Sequence, residues 1–366
     1  MLNDHGRLAR LAGARPVRRG QRAWTLRQPR DAVKHARGLT GVRGASMVAP
    51  VEAALYPGLL ALGCAAIMDA WVRLPSAWHP VAWFGRGAQW LIDRAPVAPA
   101  KTAFGWGLVI ALGTPALAAL ALLLVLQSVS PWHALVFPLH VSVLYACVCL
   151  FGLLHAAERM ASALEHSLAE GRKQLSWLCS RDPQELDEPG LINGAIESLA
   201  ENLTDSVVAP LFYLCVGGLP CAVLYRAVNT LDAMIGYRGR YEWLGKASAR
   251  FDDALNYIPA RLTALLLWLA AASLVRSQRL GLWRGASVWQ ADRARTPSPN
   301  GGHPMAMAAG LLGLRLDKPG SYVLGEGLAT PGRVDLPRAL ALTRRAGLLS
   351  LVLAACVCAW RGGRLV

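Results

Sequence analysis

Two long apolar runs without a charged residue constrain this chain most. Residues 104–126 read FGWGLVIALGTPALAALALLLVL, and residues 132–154 are almost as apolar. As a helix rising about 1.5 Å per residue, each run is long enough to cross the hydrocarbon core of a bilayer, which is roughly 30 Å thick. A buried helix of a soluble protein would be shorter and would keep a polar face. The runs therefore predict an all-α fold: a polytopic integral membrane protein with polar segments between its helices.

The first 46 residues have a different character. They contain ten Arg and Lys34 against Asp4 and Asp31, a net charge of +9 out of +15 for the whole chain. No apolar stretch accompanies this charge, which excludes a secretory signal peptide. A transit peptide or a nucleic-acid arm would share the basic composition, but no interleaved aromatic residues or reader domain support a nucleic-acid role. We expect residues 1–46 to be a disordered basic extension or to precede a translation start at Met47, and residues 47–366 to form the membrane domain.

Further apolar segments suggest how the membrane domain is organised. Besides the two long runs, they lie near residues 48–68, 206–224, 262–275 and 346–360.

Two of these segments are poor candidates for a simple crossing. Residues 206–224 include Pro210, Gly217, Gly218 and Pro220, which break helices, and broken helices at membrane depth need a surrounding of protein or a water-filled cavity. Residues 262–275 are short for a span.

The distribution of basic residues suggests a topology. Residues 71–103 and 276–345 are net basic, so the positive-inside rule places both in the cytoplasm. If neither doubtful segment crosses, four spans remain and residues 155–345 are all cytoplasmic. This four-span topology is a hypothesis.

The most unusual polar residues begin in the stretch NGAIESLAENLTDSVVAPLFY. Glu197, Glu201 and Asp205 are spaced four residues apart, so on a helix they share one face. Like charges at this spacing repel each other, and the face leads directly into an apolar segment. A divalent cation would explain the arrangement, and oxygen ligands favour Mg²⁺. A solvated helix face is the alternative.

A second polar cluster follows in YRAVNTLDAMIGYRGRYEWLGKASARFDDALNYIPAR. Tyr225, Asn229, Asp232 and Gly236 again lie on one helical face. Paired acids and several cations come after them. Such an inventory could hold a metal-bound polyphosphate, with carboxylates on Mg²⁺ and cations on phosphate oxygens. Ordinary ion pairs in a loop are equally compatible with the spacing.

Several common sites are excluded. Gly245-Lys246 is followed by Ala247 and lacks the upstream glycine of a P-loop. No serine-hydrolase elbow or HExxH pair occurs, and the eight cysteines lack zinc-finger spacing. Two His-Pro pairs remain, at His79 and His303. Each histidine could be an acid–base group, a contact to the substrate or a turn residue.

Five ordered motifs resemble one known family. ENLTDSVVAPLFY, YRAVNTLDAMIGY, ARFDDALNYIPAR, the early HPV and GHPMAMAAG resemble the CobD/CbiB family of cobalamin biosynthesis, the adenosylcobinamide-phosphate synthases. The resemblance covers the chain from about Val48 onward. One departure is that Asp69 is followed by AWVRLPSAW, where the family usually has a Gly-Asp-Pro-type turn.

The resemblance implies an ATP-dependent amide ligation at the membrane. A carboxyl group of adenosylcobyric acid would be joined to (R)-1-aminopropan-2-ol or its O-phosphate, giving adenosylcobinamide or its phosphate. Because a carboxylate is a poor acyl donor, ATP would first activate it, with Mg²⁺ and phosphate-neutralising cations assisting.

This chemistry implies roles for the polar residues. The expected Mg²⁺ ligands are Glu197, Glu201, Asp205 and Asp232. The expected catalytic residues are Asp252, Asp253, His79 and His303, with the two aspartates holding metal or acting as general base. The residues expected to bind ATP or the corrinoid are Arg226, Lys246, Arg250, Arg261, Asn202, Asn229 and Asn256.

The resemblance also implies a setting in the cell. We expect a multi-pass protein of the inner (plasma) membrane whose active site faces the cytoplasm, in contact with lipid and possible partner enzymes of the cobalamin pathway, and not with nucleic acid. A non-enzymatic rival is a membrane transporter or corrinoid-handling subunit, because carboxylates within a membrane also mark ion paths. A membrane sensor related by fold alone is a second rival. An enzyme is expected to keep its acids in polar segments between the helices rather than within spans.

Overall fold

The computed structural model describes residues 49–75, 77–179, 183–237, 239–273, 281–362 and 365. The expectations for residues 1–46 lie outside these. The helices in the first half are α1 (Ala49–Trp71), α2 (Pro80–Ile92), α3 (Ala100–Val129), α4 (His133–Cys147), α5 (Leu150–His166) and α6 (Leu168–Leu175). The second half contains α7 (Glu188–Leu203), a π-helix (Thr204–Val208), α8 (Ala209–Ile235), α9 (Lys246–Ala272), α10 (Leu282–Asp292), α11 (Gly302–Leu312) and α12 (Asp335–Trp360). A small antiparallel hairpin joins β1 (Leu316–Lys318) to β2 (Tyr322–Leu324). The predicted all-α membrane fold is confirmed.

The apolar run at residues 132–154 is not one helix. It is divided between α4 and α5, which meet at an angle of 41°. The backbone N–H of Cys149 at the break donates to the carbonyl oxygen of Ser206 at 2.8 Å. Asp69 caps the start of α5, because its carboxylate accepts the N–H groups of Phe151 at 2.6 Å and Gly152 at 3.1 Å. The run is therefore one bent pair of helices rather than one straight helix, and these partners satisfy the backbone groups that the break exposes.

The 48 residues from Glu188 to Ile235 form a succession of helices that reverses direction inside α8. Gly217 (φ −143°, ψ 23°) and Gly218 (φ 73°, ψ −164°) are non-helical. The rings of Tyr213 and Tyr225 stack with their centroids 5.2 Å apart, whereas twelve residues of straight helix would separate them by about 18 Å. The chain therefore folds back at Gly217–Gly218 into two arms, a feature that we call the α8 hairpin.

The tip of the α8 hairpin lies beside the C-terminal end of α12. Leu219 donates its N–H to the carbonyl oxygen of Leu365 at 2.7 Å, and the Arg361 guanidinium donates to the carbonyl oxygen of Cys215 at 2.6 Å. Far from the tip, near the end of α8, Leu231 and Ile235 pack against Ile110 of α3. The arms thus extend from the first third of α3 toward the end of α12.

Among the described residues, four helical stretches are long and apolar enough to cross a membrane, and the bent α4–α5 pair would add a fifth. The four are Ala100–Val129, Glu188–Ile235, Lys246–Ala272 and Asp335–Trp360. Two of them contain the segments 206–224 and 262–275, which the four-span topology treated as not fully crossing. The first of these segments folds back at Gly217–Gly218, as its helix-breaking residues suggested. The second of those segments seemed short only because its helix begins at Lys246. The length argument for that topology was therefore wrong.

Helix α11 is the most enclosed element, since all of its residues are buried. Its glycine-rich contact with α10 is close: a Cβ placed on Gly310 would lie 2.7 Å from the carbonyl oxygen of Arg284 and 2.8 Å from the Cα of Gly285. Two small residues therefore let the backbones approach. Residues 293–301 link the two helices.

The β-hairpin is anchored to α7. The buried Asn193 amide donates to the carbonyl oxygen of Asp317 at 2.7 Å, and its oxygen accepts the Asp317 N–H at 3.2 Å. Because this amide pairs with the backbone as a neighbouring strand would, it fixes β1 against the helix that bears the acidic residues.

Candidate functional site

Two adjoining cavities share a wall of carboxylates. The first has a volume of about 290 Å³ and the second about 310 Å³. Both are lined by Glu201, Asp205, Asp232 and Gly236. We call the three acids the shared wall. Three of the four predicted metal ligands therefore line both cavities, and the fourth, Glu197, lines the second cavity.

The shared wall depends on two local irregularities. Asp205 lies in the π-helix, a wide turn that often occurs at functional sites. Asp232 reaches the same cavities because the α8 hairpin reverses the chain, since 27 residues of straight helix would place it about 40 Å from Asp205. Its carboxylate also needs Gly236, where a Cβ would lie only 1.9 Å from Asp232 Oδ1. This glycine therefore leaves room for the carboxylate.

The first cavity adds residues from α9 and from the loop before α11. They are Asp252, Asp253, Asn256, Ser298, Asn300 and Gly301, together with several apolar or backbone contacts. The second cavity adds Glu197 and Asn202 from α7, Tyr237, and Lys318 and Tyr322 from the β-hairpin. The predicted face formed by Glu197, Glu201 and Asp205 is confirmed, since all three line the second cavity.

The paired aspartates of α9 have different surroundings. Asp252 is buried and accepts a hydrogen bond on each oxygen, from Asn229 Nδ2 at 3.3 Å and from Asn256 Nδ2 at 3.0 Å. Asn256 in turn accepts the hydroxyl of the buried Tyr225 at 2.9 Å. Asp253 is half-exposed and accepts Ser298 Oγ at 3.1 Å. Asp252 is therefore held in a polar network, while Asp253 is the more open carboxylate.

The acidic lining of the first cavity favours a cationic ligand. Five carboxylates line it, and its described lining includes no Lys or Arg. Carboxylates that line one cavity repel each other, and either a proton or a positive ligand among them relieves the repulsion. The donor atoms are all oxygen, which suits Mg²⁺.

A permanently bound metal is less well supported than one that arrives with a ligand. Among the described residues, no three His, Cys, Asp or Glu side chains are grouped as a ready-made metal site. Mg²⁺ commonly takes only one or two protein carboxylates and completes its coordination with water and substrate phosphates. The residues therefore fit Mg²⁺ carried by a polyphosphate, held by the shared wall.

The four predicted phosphate-binding cations lie outside both cavity linings. Lys246 stacks over the ring of Trp243 at 4.4 Å, and Arg261 stacks over Tyr257 at 3.5 Å. Arg250 is exposed near Asp253. Arg226 lies behind the shared wall, where it donates to the carbonyl oxygen of Asp205 at 3.4 Å, and it lines a separate apolar cavity of about 170 Å³. Among the described residues, Lys318 is the one basic side chain lining either polar cavity.

The two histidines of the His-Pro pairs also lie outside the cavity linings. His79 precedes α2 and caps it, with Nδ1 accepting the N–H of Val81 at 3.3 Å. Burial and the nearby Arg226 guanidinium lower the pKa of His79. His303 is buried behind the first cavity, and its Nδ1 accepts the indole N–H of Trp289 at 3.1 Å.

His303 is neutral at physiological pH. Burial, reinforced by the positive charges of Arg261 and Arg293, lowers its pKa to about 4. Because Nδ1 accepts from Trp289, the ring proton lies on Nε2.

We expect this burial to make the protein less stable in mild acid. Between pH 6.5 and 4 the unfolded chain binds a proton at His303 that the folded chain does not. The free energy of unfolding that the neutral His303 contributes above pH 6.5 is therefore lost as the pH falls. Thermal unfolding at pH 7 and pH 5 should show a smaller loss of Tm for His303→Gln than for wild type. His155→Gln, at a half-exposed histidine, should behave like wild type. Equal losses for wild type and His303→Gln would contradict the assignment.

Sequence reasoning missed several lining residues. Ser298 and Asn300 come from a loop whose only signal was its position before the His303 motif, and Lys318 and Tyr322 come from the β-hairpin. It was also wrong in expecting the acids between helices. Glu197, Glu201, Asp205, Asp232, Asp252 and Asp253 all lie within helices that belong to candidate spans.

Comparison with known proteins decides the family. Residues 62–344, most of the chain, match the family model described as CobD/Cbib protein. The chain belongs to the CobD/CbiB family. The resemblance drawn from the five motifs is confirmed, and membership of the CobD/CbiB family supports a role in cobalamin biosynthesis.

Curated relatives agree with the family assignment. The chain is 41% identical to "Cobalamin biosynthesis protein CobD" of Dehalococcoides mccartyi, over 69% of this chain and 81% of the relative. It is 41% identical to "Probable cobalamin biosynthesis protein CobD" of Thermococcus kodakarensis, over 78% and 90%. It is 38% identical to "Cobalamin biosynthesis protein CbiB" of Salmonella typhimurium, over 76% and 86%. No solved structure matches the chain.

Proposed function

We propose that this CobD/CbiB protein is an ATP-dependent amide ligase. It would join the amino group of (R)-1-aminopropan-2-ol or of its O-phosphate to a carboxyl group of adenosylcobyric acid. ATP would be converted to ADP and phosphate, and the product would be adenosylcobinamide or its phosphate. The observation that supports this most is the carboxylate wall shared by two polar cavities.

Two cavities with a common acidic wall suit a reaction between two bound ligands. ATP must transfer its terminal phosphoryl group to a carboxylate, so the nucleotide phosphates and the corrinoid carboxyl must meet. Mg²⁺ held at Glu201, Asp205 and Asp232 would neutralise the charge on those phosphates. Lys318 would provide a further positive charge from the second cavity. The amine must then lose a proton, and Asp253 is the more open candidate for a general base.

The distribution of basic residues supports a cytoplasmic site, where ATP is available. A Cβ on Gly107 would lie 2.0 Å from the carbonyl oxygen of Leu244, so the first third of α3 lies beside the loop between α8 and α9. Arg94 precedes α3 and Lys101 lies in its first turn, while Arg240 lies in the loop and Lys246 begins α9. Since this is also the end of the α8 hairpin that contains Asp232, the positive-inside rule would orient the site inward.

Reconstitution tests the proposal directly. The purified protein, in detergent, should form the amide from adenosylcobyric acid, an aminopropanol acceptor, Mg²⁺ and ATP, with one ADP released per amide. A folded sample that releases no ADP and forms no amide would rule out the ligase.

One observation favours the alternative hypothesis of a transporter: the acids lie in candidate membrane helices. Proteoliposomes distinguish the two functions. A transporter would move corrinoid or cation across the vesicle membrane without forming an amide, whereas the ligase would consume ATP on the side that its cavities face.

A further inference from the structure

The loop at residues 293–301 closes one side of the first cavity and is tied to α9. Ser298 Oγ donates to Asp253 Oδ1 at 3.1 Å and accepts the N–H of Asn300 at 3.2 Å. Asn300 Nδ2 donates to the carbonyl oxygen of Asp253 at 2.7 Å. Thr296 Oγ1 donates to the carbonyl oxygen of Ser298 at 2.8 Å. These bonds hold the Asn300 amide and the Asp253 carboxylate together at the cavity.

These contacts leave one polar atom in need of a partner. Only the NH₂ group of Asn300 can donate to the Asp253 carbonyl, so the orientation of its amide is fixed and Oδ1 remains an acceptor. Asn300 is 5% exposed, and Oδ1 has no hydrogen-bond partner among the described residues. A buried acceptor without a partner is costly, and Asn300 lines the first cavity, so a bound ligand is the natural source of a donor.

The surroundings decide which ligand fits. An anion is disfavoured by the five carboxylates of the cavity. A ligand that is positive and also donates hydrogen bonds would satisfy Asn300 Oδ1 and the acids together. A primary ammonium has both properties, with three N–H donors on one positive nitrogen.

Mg²⁺ fits this position less well. It keeps much of its water and prefers carboxylates together with phosphate oxygens, and the acids that suit it form the shared wall between the two cavities. Asn300, Asp253 and Ser298 line the first cavity but not the second. A second, organic cation can therefore be accommodated beside the shared wall.

We propose that Asn300 Oδ1 and the Asp253 carboxylate bind the primary ammonium group of the acceptor amine, and that Ser298 positions Asp253 for this contact. The inference deepens the proposed ligase function and rests on it for the identity of the amine. It makes Asn300 a residue that determines acceptor affinity, separate from the residues that hold the nucleotide.

Steady-state kinetics of variants at Asn300 provide the test. Asn300→Leu has a similar volume but no acceptor, and it should raise the KM for 1-aminopropan-2-ol and its O-phosphate at least tenfold while the KM for ATP changes less than twofold. Asn300→Asp keeps an acceptor oxygen and should affect the amine KM less than Asn300→Leu. Gln290→Leu, at an exposed amide on α10, is the matched control. Ser298→Ala, a milder change, should raise the amine KM severalfold and provides a second variant if Asn300→Leu does not fold.

A binding measurement separates this inference from the ligase function. In the absence of ATP, 1-aminopropan-2-ol should raise the Tm of wild type but not of Asn300→Leu, and propane-1,2-diol, which lacks the amine, should raise neither. Binding that depends on Asn300 in a protein that forms no amide would support the ammonium site and reject the ligase. An active ligase whose amine KM is unchanged in Asn300→Leu and Ser298→Ala would reject the ammonium site alone. A change confined to the ATP or Mg²⁺ dependence would also reject it.

Discussion

Replacing Asp232 by asparagine should lower kcat/KM for amide formation by about 10²–10³-fold, on the order of 3–4 kcal/mol of transition-state stabilisation. Asp232 is part of the wall common to both cavities, so its carboxylate can act on ligands in either one. Asparagine has nearly the same shape and fits over Gly236, but it has no negative charge to offer Mg²⁺. The loss should therefore appear in catalysis and not in folding.

The measurement for Asp232→Asn is ADP release coupled to amide formation, with expression and Tm recorded in parallel. Asp93→Asn is the matched control, because Asp93 is an exposed acid after α2 whose side chain accepts a hydrogen bond from Gln89. The control should retain full activity. Near-wild-type turnover of Asp232→Asn at limiting Mg²⁺ would remove Asp232 from the metal site, even if the protein is a ligase.

The helical faces could be predicted because they depend on local periodicity. Residues four apart on a helix share a side whatever the rest of the chain does, so Glu197, Glu201 and Asp205 were grouped correctly. The same reasoning grouped Asn229 with Asp232, and both contribute to the site. Such patterns cannot show which faces meet, because that depends on where the chain turns.

The α8 hairpin illustrates this limit. Gly217 and Gly218 signalled a break in a helix, but a glycine pair is compatible with a kink, a bulge or a complete reversal. The reversal is what brings Asp232 to Asp205. Ser298 and Asn300 were missed for a related reason, since a loop without periodicity contributes to a site only through tertiary folding.

The long cationic side chains were the least predictable part of the site. Their charge suggested phosphate binding, but Lys246 and Arg261 place their charged groups over neighbouring aromatic rings. Aromatic faces attract cations, and the flexible stems can follow a protein surface in several directions. The sequence therefore indicates where the backbone of such a residue lies, but not where its charged group lies.

Gly218→Ala should destabilise the protein and reduce its activity together. At φ 73° and ψ −164° Gly218 occupies a backbone region that is essentially restricted to glycine, and a residue with a Cβ should cost about 1–3 kcal/mol there. Gly218 forms the reversal of the α8 hairpin, so relief of this strain would shift one arm against the other. Asp205 lies in the π-helix that leads into the first arm, and Asp232 lies on the second arm. A shift between the arms would therefore alter the shared wall far from the mutated residue.

The comparison that tests this coupling is Gly113→Ala. Gly113 lies within α3, where a Cβ would meet no atom within 4 Å, so alanine should leave stability unchanged or raise it by about 0.5–1 kcal/mol. For Gly218→Ala, both the Tm measured in detergent and the rate of amide formation should fall. For Gly113→Ala, neither should fall. A Gly218→Ala protein with the Tm and turnover of the control would show that the reversal tolerates a side chain. The close approach of Asp205 and Asp232 would then depend on packing between the two arms rather than on the glycine at the turn between them.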